Sequence, residues 1–369
     1  MARLALISVP RPEPWIDVPH EVARLAAALE RTGGEDPRIL DRSLLDLQVL
    51  TAQAADLAPD AVVLWLATKA DALFHELAGA LRQALPRTPV MAVGPGVQPG
   101  SMVFRTPGAI DGAVIGAHVE AVVQLARRGQ VPVDMPGVAM GGEGEVFANR
   151  PAVPDDPDEW GLPAYHLVDI ARYDEQRCPG LVRRGSRRWT VPVDYRRAED
   201  IALELAHLAI EVKVTDVQFR GGATLSADAL ARLLESWLEV RRPAHLNWFE
   251  PLSPGAWPEE NIALFAALGG YQVALAVDEN NLAACPFVAR LCRRRGMIVR
   301  GEVHSDAPKR ALHLLDAADI DIGRVITRAG VPAGADRLAR RFYGWRRKWR
   351  LRRLETNVAP ADLAGVLFG

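Results

Sequence analysis

The sequence predicts an α/β protein in which an N-terminal open parallel sheet is followed by part of a (β/α) barrel. Short apolar runs alternate with segments of helical period along most of the chain, which is typical of parallel sheets. The chain of 369 residues is longer than a typical single domain, so we expect two domains and a tail.

Apolar residues make up 49% and charged residues 24% of the chain, as in an ordinary soluble protein. The formal net charge of −2 gives no overall attraction to nucleic acid or anionic lipid.

The first domain is predicted to span residues 1–125. Its elements, in order, are a strand at 4–9, a helix through 22–29, a weak strand at 39–40, a strand at 61–66, a helix at 71–85, and strands at 89–93 and 110–115. Each clear strand is a short apolar run that ends in small residues or prolines. Parallel strands end at the same edge of a sheet, where ligands bind in open α/β folds. We therefore expect these loops to line one crevice.

A stretch rich in Pro, Gly and Asp at 126–165 is predicted to link this domain to a second one at 166–330. The second domain alternates again, with a helix at 198–212, a strand at 214–219, a helix at 225–240, and strands at 273–277 and 297–303. These strands run into Arg220-Gly221-Gly222, Asp278-Glu279 and His304-Ser305-Asp306. Repeated αβ units suit a parallel barrel or part of one, whose functional groups lie at the carboxyl ends of the strands.

The tail at 331–369 is rich in basic and aromatic residues, and two interpretations are open. Such a segment can meet nucleic acid, a membrane surface or an acidic partner. It can also form an amphipathic helix that packs Phe342, Trp345 and Trp349 on the barrel and exposes its arginines. The second interpretation is favoured because the rest of the chain has no nucleic-acid module. We predict no nucleic-acid partner and no membrane partner.

The N-terminus and the cysteines bear on the compartment. The first apolar run ends at Pro10 without a signal-peptide cleavage pattern, and no later stretch is long and apolar enough to span a bilayer. We therefore expect a cytoplasmic protein. The cysteines, Cys178, Cys285 and Cys292, have the spacing of neither a zinc site nor an iron–sulfur run. Reduced thiols in or near a core are the expected state.

The segment from Arg184 to Tyr195 reads Arg-Gly-Ser-Arg-Arg-Trp-Thr-Val-Pro-Val-Asp-Tyr. It resembles the Arg-Gly-Cys-x-x-x-Cys-x-x-Cys loop that holds the cluster in radical SAM enzymes. Ser186, Thr190 and Val193 stand at the cysteine positions. Hydroxyl and methyl groups cannot supply the thiolates that an iron–sulfur cluster needs. The resemblance therefore identifies a degenerate member, and we expect no [4Fe-4S] cluster.

The order of motifs over residues 1 to about 325 resembles that of cobalamin-binding-domain radical SAM proteins. The resemblance implies a B12-binding, flavodoxin-like first domain and a partial TIM-type barrel. It implies cobalamin held at the strand ends, with these contacts: Pro10, Thr68, Gly94, Gly96, Gly116 and His118. An Asp-x-His-x-x-Gly motif is absent, so a protein ligand to cobalt is not expected, and His118 is a candidate for contact with the corrin or its nucleotide tail. The alternative is a flavodoxin-like sheet that has lost its ligand.

In the family the barrel carries S-adenosylmethionine beside a Gly-Gly-Glu motif, and here Gly221 and Gly222 are followed by Ala223. The glycines still permit close backbone approach to an amino group or ribose of this second candidate ligand. Without the acid and the iron, affinity is expected to fall sharply.

The candidate catalytic residues are Arg220, Glu279 and His304. Arg220 would bind a ligand carboxylate or pair with Glu279. The segment from Asp278 to Asn281 would either contact the cofactor or cap the next helix. His304 and its neighbours are expected to line a pocket, because sequence neighbours rarely form a catalytic triad.

Three hypotheses follow from the resemblance. In the first, the chain binds cobalamin, has lost reductive SAM cleavage, and serves as a partner of an intact radical SAM paralogue or of another enzyme of a biosynthetic pathway. In the second, it is a cobalamin-dependent methyltransferase that uses polar rather than radical chemistry. In the third, it is a structural scaffold with both cofactor sites lost. We favour the first.

Overall fold

The computed structural model describes residues 2–9, 18–32, 35–68, 70–98, 102–116, 118–140, 155, 157–170, 172–173, 188–194, 196–305 and 308–326. The chain divides into two compact units, Met1–Arg177 and Cys178–Gly369. The described part of the predicted linker at 126–165 lies in the first unit. Each unit is built on one six-stranded sheet. The chain is therefore an α/β protein with parallel sheets, as predicted.

The first unit alternates strands and helices throughout. Its elements are β1 (Ala2–Val9), α1 (His20–Thr32), β2 (Glu35–Asp41), α2 (Leu47–Leu57), β3 (Ala61–Leu66), α3 (Ala72–Ala84), β4 (Val90–Val93), β5 (Gly112–Val114), α4 (Val119–Arg128) and β6 (Val138–Met140). The strand order is β2-β1-β3-β4-β5-β6. All pairs are parallel except β5 with β6. The helices α2 and α4 and the antiparallel strand β6 were not predicted.

Both faces of the first sheet are apolar and covered. Along β3, Leu64 belongs to a core cluster that includes Leu50 of α2 and Phe74 of α3. Its neighbour Val63 points to the opposite face, into a cluster with Val22 of α1. Successive residues of a strand face opposite sides, so a continuous apolar run marks a strand buried on both. This arrangement explains why β3 reads as the run Ala61–Leu66 without alternation.

The second unit repeats the alternation. Its elements are β7 (Arg188–Pro192), α5 (Ala198–His207, continued by a π-helical turn at Leu208–Val212), β8 (Asp216–Arg220), α6 (Ala227–Ser236), β9 (His245–Trp248), α7 (Glu259–Ala267), β10 (Gly270–Ala276), α8 (Cys285–Arg294), β11 (Ile298–His304), α9 (Pro308–Ala317) and β12 (Ile322–Ile326). The strand order is β12-β11-β10-β9-β8-β7, and every pair is parallel. Among the described residues β7 does not pair with β12, so no closed barrel is seen.

The second sheet has two unlike faces. Thr190, Gln218, Asn247 and Gln272 are register neighbours on adjacent strands, and they form a polar row on one face. Gln218, Asn247 and Gln272 are buried. Trp189, Val217 and Leu246, one residue earlier on their strands, form an apolar row on the other face. Right-handed crossovers between strands in chain order place the connecting helices on one side of the sheet.

The apolar face carries an aromatic core. Phe219 stacks on Trp237 with ring centroids 4.6 Å apart, and Trp248 meets Trp257 edge-on at 5.8 Å. Trp248 is fully buried, and Trp65 in the first unit is nearly so. Both tryptophans therefore serve as core residues. No helix in the described part of the chain has the length and apolar content needed to cross a membrane.

Candidate functional site

The carboxyl ends of β3, β4 and β5 meet, as the parallel arrangement requires. The N–H of Gly96 donates to the carbonyl of Leu66 (2.9 Å), and the N–H of Gly94 donates to that of Gly116 (2.8 Å). A Cβ on Gly96 would lie 1.9 Å from the carbonyl oxygen of Thr68, and one on Gly94 would lie 2.6 Å from that of Leu66. These glycines are thus required by contacts within the chain, whatever the ligand.

Other predicted contacts lie at the same edge. Gly116 has a φ of +82°, which favours glycine. Thr68 is exposed beside Gly96. Pro10 lies outside the described residues. The structure therefore brings the predicted loops after β3, β4 and β5 together.

His118 follows the same edge and caps the start of α4. Its Nδ1 lies 3.4 Å from Asp155 Oδ1, while Asp155 Oδ2 accepts from the N–H of Val119 (2.6 Å). Burial acts to raise the pKa of Asp155, but its hydrogen bonds with His118 and Val119 outweigh burial and leave that pKa lowered. His118 is 9% exposed. In the described part of the chain its Nε2 has no partner.

These observations fit a ligand at the edge of the first sheet. Small residues keep the backbone accessible there. A buried ring nitrogen without a partner costs free energy unless a ligand or water supplies one. The N–H groups of Gly94, Gly96 and Gly116 already donate within the chain, so the His118 ring is the polar group that this edge would offer to a ligand.

A glycine turn follows β8 in the second unit. Gly221 and Gly222 have φ values of +82° and +77°. The N–H of Gly222 donates to Asp194 Oδ1 at 2.5 Å, and the Gly221 N–H lies near enough to the Glu250 carboxylate to act on its pKa. A Cβ on Gly221 would lie 2.1 Å from Asp194 Oδ2. Asp194 follows β7 and Glu250 follows β9, so groups from three neighbouring strand ends meet at the turn.

Glu250 is the titratable group most affected by these neighbours. Burial and the negative charge of Glu302 raise its pKa, and Asp194 adds to the rise. The Gly221 N–H and the positive charge of Arg220 act in the opposite direction. The raised pKa brings this carboxyl closer to the range in which it exchanges a proton near neutral pH.

An ion-paired chain on β11 completes the cluster. Arg300 Nη2 donates to Glu302 Oε2 (3.1 Å), and Glu302 Oε1 lies 3.1 Å from His304 Nε2. Arg300 and Glu302 are buried, whereas the His304 side chain is 66% exposed. The guanidinium carbons of Arg300 and Arg220 lie 4.1 Å and 5.8 Å from the ring centroid of Phe249. The arrangement places charged groups around one aromatic platform.

The predicted catalytic residues are thus only partly brought together. Arg220 and His304 belong to this cluster, and the carboxylate beside Arg220 is Glu250. Glu279 instead accepts from Arg310 Nε at 2.8 Å, and both side chains are largely exposed. At the neighbouring turn Asp278 Oδ1 accepts from the N–H of Asn281 at 3.0 Å. This hydrogen bond closes a turn at 278–281, whereas α8 begins at Cys285 with Ala284 as its N-cap and without a side-chain cap, so the predicted capping of the next helix by this segment is not observed.

The predicted cluster positions lie on or beside β7. Thr190 is inside the strand rather than in a loop. Val193 is buried directly after it, and its N–H donates to the carbonyl of Arg220 (2.8 Å). Ser186 lies outside the described residues. The residues at these positions carry no thiolate and do not fit a [4Fe-4S] cluster.

Metal-ligating groups are scarce in the described residues. No group of three or more His, Cys, Asp or Glu side chains there has the geometry to hold a metal ion. Burial raises the pKa of Cys285 to about 11 and that of Cys292 to about 12. Neither is therefore a thiolate near neutral pH. Cys178 lies outside the described residues.

Several members of the cluster were not predicted from the sequence: Asp194, Phe249, Glu250, Arg300 and Glu302. One signal was present. In β11, polar residues alternate with small or apolar ones as Arg300-Gly301-Glu302-Val303-His304, which indicates a strand with one polar face. Asp194 and Glu250 carried no such signal, because each stands just beyond its strand.

The fold and these two edges define an α/β protein of one largely parallel and one fully parallel sheet, each with polar or small residues at its strand ends. Comparison with models of known protein families gives no match. A search of curated proteins also gives none.

Solved structures supply a likeness of fold. The chain is similar to the radical S-adenosylmethionine methyltransferase TsrM from Kitasatospora setae, solved with tryptophan substrate and the SAM analogue aza-SAM. The two are 18% identical with a TM-score of 0.66, over 88% of this chain and 73% of that one. A second structure of TsrM, with cobalamin and a [4Fe-4S] cluster bound, gives a TM-score of 0.65 at 18% identity, over 89% and 72%. The present chain therefore has a TsrM-like fold.

Proposed function

We propose that the chain is a cobalamin-binding, radical-SAM-like protein without an iron–sulfur cluster, and that it works as an accessory subunit in a biosynthetic pathway. The observation that carries the proposal is a TsrM-like fold combined with Ser186, Thr190 and Val193 at the expected cysteine positions. The chain thus has the fold but lacks the cysteines that would bind a cluster. Its partner would be an intact radical SAM paralogue or another enzyme of the pathway, in the cytoplasm.

The connection after β7 supports the loss of the cluster. In this chain β7 ends at Pro192 and α5 begins at Ala198. The connection at 193–197 contains no cysteine and is shorter than a Cys-x-x-x-Cys-x-x-Cys motif. Two of the three positions that resemble the cluster motif, Thr190 and Val193, instead lie in or directly after β7, where the Val193 N–H donates to the carbonyl of Arg220.

The second sheet supports the partial barrel. Its strands follow chain order and are all parallel, which sets the crossover helices on one side. The polar side is nevertheless buried at Gln218, Asn247 and Gln272. A buried polar face is what the interior of a partial barrel with a ligand site would present.

Cobalamin is proposed from the TsrM structure that contains it and from the fit of the first sheet. The residues that would hold it are Thr68, Gly94, Gly96, Gly116 and His118, with Pro10 from the predicted set. When bound, cobalamin would supply a cobalt centre able to carry a methyl group. The chain's own contribution would be to place backbone amides and the His118 ring beside it.

A second function is favoured by the charged cluster of the second unit. A scaffold without ligands gains nothing from burying Arg300 and Glu302 or from holding Glu250 beside Glu302, because buried charges cost free energy. Their presence suits an enzyme that transfers a methyl group by polar chemistry, with S-adenosylmethionine as a candidate donor. Arg220 and His304 would then face the substrate.

The visible spectrum and metal content of the purified protein test the proposal. Protein produced anaerobically with hydroxocobalamin is desalted, and its corrinoid absorbance, cobalt and iron are measured. A corrinoid band with stoichiometric cobalt and no iron is expected. Iron and sulfide bound at cluster stoichiometry would contradict the loss of the cluster. An unchanged spectrum after desalting would leave the scaffold hypothesis.

The accessory role has a separate test. Tagged protein is used to capture the products of neighbouring genes, and a stable complex with an enzyme of the same pathway is expected. Labelled methyl donor, supplied with a reductant that converts the bound cobalamin to its Co(I) form, distinguishes the second function, since polar transfer requires that methylcobalamin form on this chain alone.

A further inference from the structure

The ring of His118 lies where the strands of the first sheet end. His118 stands two residues after Gly116, whose carbonyl accepts from the N–H of Gly94. It is the N-cap residue of α4, but its side chain makes no capping hydrogen bond. Helices of a parallel α/β sheet begin at the edge where ligands bind. The ring is therefore at the ligand edge and is not used to cap the helix.

Asp155 determines which ring nitrogen of His118 is the donor. Its Oδ1 lies 3.4 Å from His118 Nδ1, and its Oδ2 accepts from the N–H of Val119 at 2.6 Å. Burial would raise the pKa of Asp155, but the hydrogen bonds with His118 and Val119 outweigh burial and lower that pKa. An ionised carboxylate can only accept hydrogen bonds. In the neutral ring Nδ1 therefore carries the proton, and Nε2 presents its lone pair.

The environment of His118 Nε2 provides an independent observation. The residue is 9% exposed, and Nε2 is buried without a hydrogen-bond partner among the residues that the structure describes. A buried polar atom without a partner is unfavourable. A carboxylate that holds one ring nitrogen and leaves the other is the arrangement that orients a metal-binding histidine.

The charge of Asp155 distinguishes between two groups of a corrinoid that Nε2 could bind, the cobalt and the phosphate of the nucleotide tail. A phosphate at the start of α4 would lie beside the Asp155 carboxylate, and like charges repel each other. Asp155 also occupies the Val119 N–H, which a phosphate at a helix N-terminus would use. Cobalt is a cation, and a carboxylate on Nδ1 makes the imidazole a stronger ligand. The arrangement therefore favours the metal.

We infer that His118 ligates the cobalt of a bound corrinoid through Nε2, with Asp155 as the positioning residue. The inference deepens the proposed function, on which it rests, because it names a protein ligand for the metal. It reverses one expectation from the sequence. The absence of an Asp-x-His-x-x-Gly motif predicted cobalt without a protein ligand, whereas here the carboxylate comes from a distant part of the chain.

Electron paramagnetic resonance of the cobalt tests the inference on the full-length protein. The probe is cobinamide, a corrinoid without the nucleotide base, which titanium(III) citrate reduces by one electron to Co(II) in a buffer without nitrogen ligands. Because cobinamide has no base of its own, an axial nitrogen coupled to the cobalt must come from the protein. Protein labelled with ¹⁵N-histidine assigns that nitrogen to a histidine ring.

The variants are His118→Ala and Asp155→Asn. The matched control is His166→Gln, since His166 is an exposed histidine of the same unit that also lies beside a carboxylate, 3.0 Å from Glu30. We expect wild type and the control to show a threefold splitting of the cobalt lines, which becomes twofold with ¹⁵N-histidine. His118→Ala should lose the splitting. Asp155→Asn should keep it and bind cobinamide at least about tenfold more weakly.

Added imidazole keeps the test valid if His118→Ala no longer binds cobinamide. Imidazole that restores both binding and splitting in this variant, but not in wild type, would support ligation by the missing ring. Circular dichroism shows whether the variant is folded.

The inference is overturned if cobinamide bound to wild type shows no nitrogen splitting, or if the splitting persists in His118→Ala. Bound cobalamin without histidine coupling and without iron would refute ligation by His118 alone. Histidine coupling together with iron and sulfide at cluster stoichiometry would refute the proposed function alone. The absence of any bound corrinoid would refute both.

Discussion

The two sheets have the same number of strands, but they differ in which faces are apolar. The first is apolar on both faces, with Leu64 and Val63 of one strand in opposite core clusters. The second is apolar on one face and carries a buried polar row that includes Gln218 and Asn247 on the other. Strand order accounts for the difference. In the first sheet the strand order β2-β1-β3-β4-β5 changes direction once, so right-handed crossovers place connecting helices on both faces. In the second sheet the strands follow chain order, so the crossovers place their helices on one face only.

Polar substitution of the first sheet should give the largest effect on stability. We expect Leu64→Asn to lower the free energy of unfolding by about 3–5 kcal/mol, because it leaves a cavity and buries an amide among apolar residues. Urea denaturation followed by circular dichroism measures the change.

The reverse substitution sharpens the comparison. Gln218→Leu, on the polar face of the second sheet, should change the free energy of unfolding by no more than about 1 kcal/mol, since an apolar side chain of similar volume replaces a buried polar one. Equal losses for both variants would mean that the two faces do not differ as described.

Substitution of a glycine at the carboxyl ends of β3, β4 and β5 should give the next largest effect on stability. Gly96→Ala should cost about 2 kcal/mol or more, because its Cβ would lie 1.9 Å from the Thr68 carbonyl oxygen. Gly79 in α3 is the matched control, with nothing within 4 Å of an added Cβ. Gly79→Ala should stabilise by about 0.5–1 kcal/mol through helix propensity. Thermal unfolding that ranks the two variants the other way would contradict the contact.

The carboxyl group of Glu250, at the strand ends of the second sheet, should give a smaller effect on the free energy of unfolding, and this effect should depend on pH. The pKa of Glu250 is raised above its ordinary value of 4.5, by burial first and then by Glu302 and Asp194, against Arg220 and the Gly221 N–H. A folded pKa above the unfolded one means that the group's contribution is present at acid pH and lost as pH rises through the folded value. Glu250→Gln should therefore gain stability relative to wild type between acid and neutral pH.

Unfolding free energies of wild type and Glu250→Gln, measured across this pH range, provide the check. The exposed Glu239→Gln variant serves as the control. A difference between wild type and Glu250→Gln that does not change with pH would argue against the raised pKa.

The smallest expected effect concerns the reactivity of the buried cysteines, which does not change the stability of the protein. Cys285 and Cys292 are buried, with pKa values of about 11 and about 12. Both should resist alkylation at pH 8 in the native protein and react after denaturation. Peptide mapping by mass spectrometry measures the modification of each cysteine. Alkylation of either thiol in the native protein would contradict its burial.

Most strands and helices of this protein follow from local pattern. The run Ala61–Leu66 is the observed β3, and the helix predicted from Asp71 begins with Asp71 accepting from the N–H of Phe74. The antiparallel β6 was missed, because three residues within a turn-rich stretch carry too little periodicity to mark a strand. The fold class and most elements of the first sheet were therefore predictable, whereas β7, β9 and β12 of the second sheet were not predicted.

The candidate site was predictable only where chemistry and motif coincide. Gly94, Gly96 and Gly116 were found because a strand end followed by glycine is visible in the sequence. Glu250 and Asp194 were not, because their role depends on register between strands that lie far apart in the chain.

The sequence by itself determined the alternation of elements, the glycine-bearing strand ends and the missing thiolates, since each is a property of consecutive residues. The tertiary structure decided which charges meet. Parallel pairing of β7, β8 and β9 brings Asp194, the Gly221–Gly222 turn and Glu250 to one edge. Register and strand order are set by the burial of whole faces, so no local pattern could have specified that encounter.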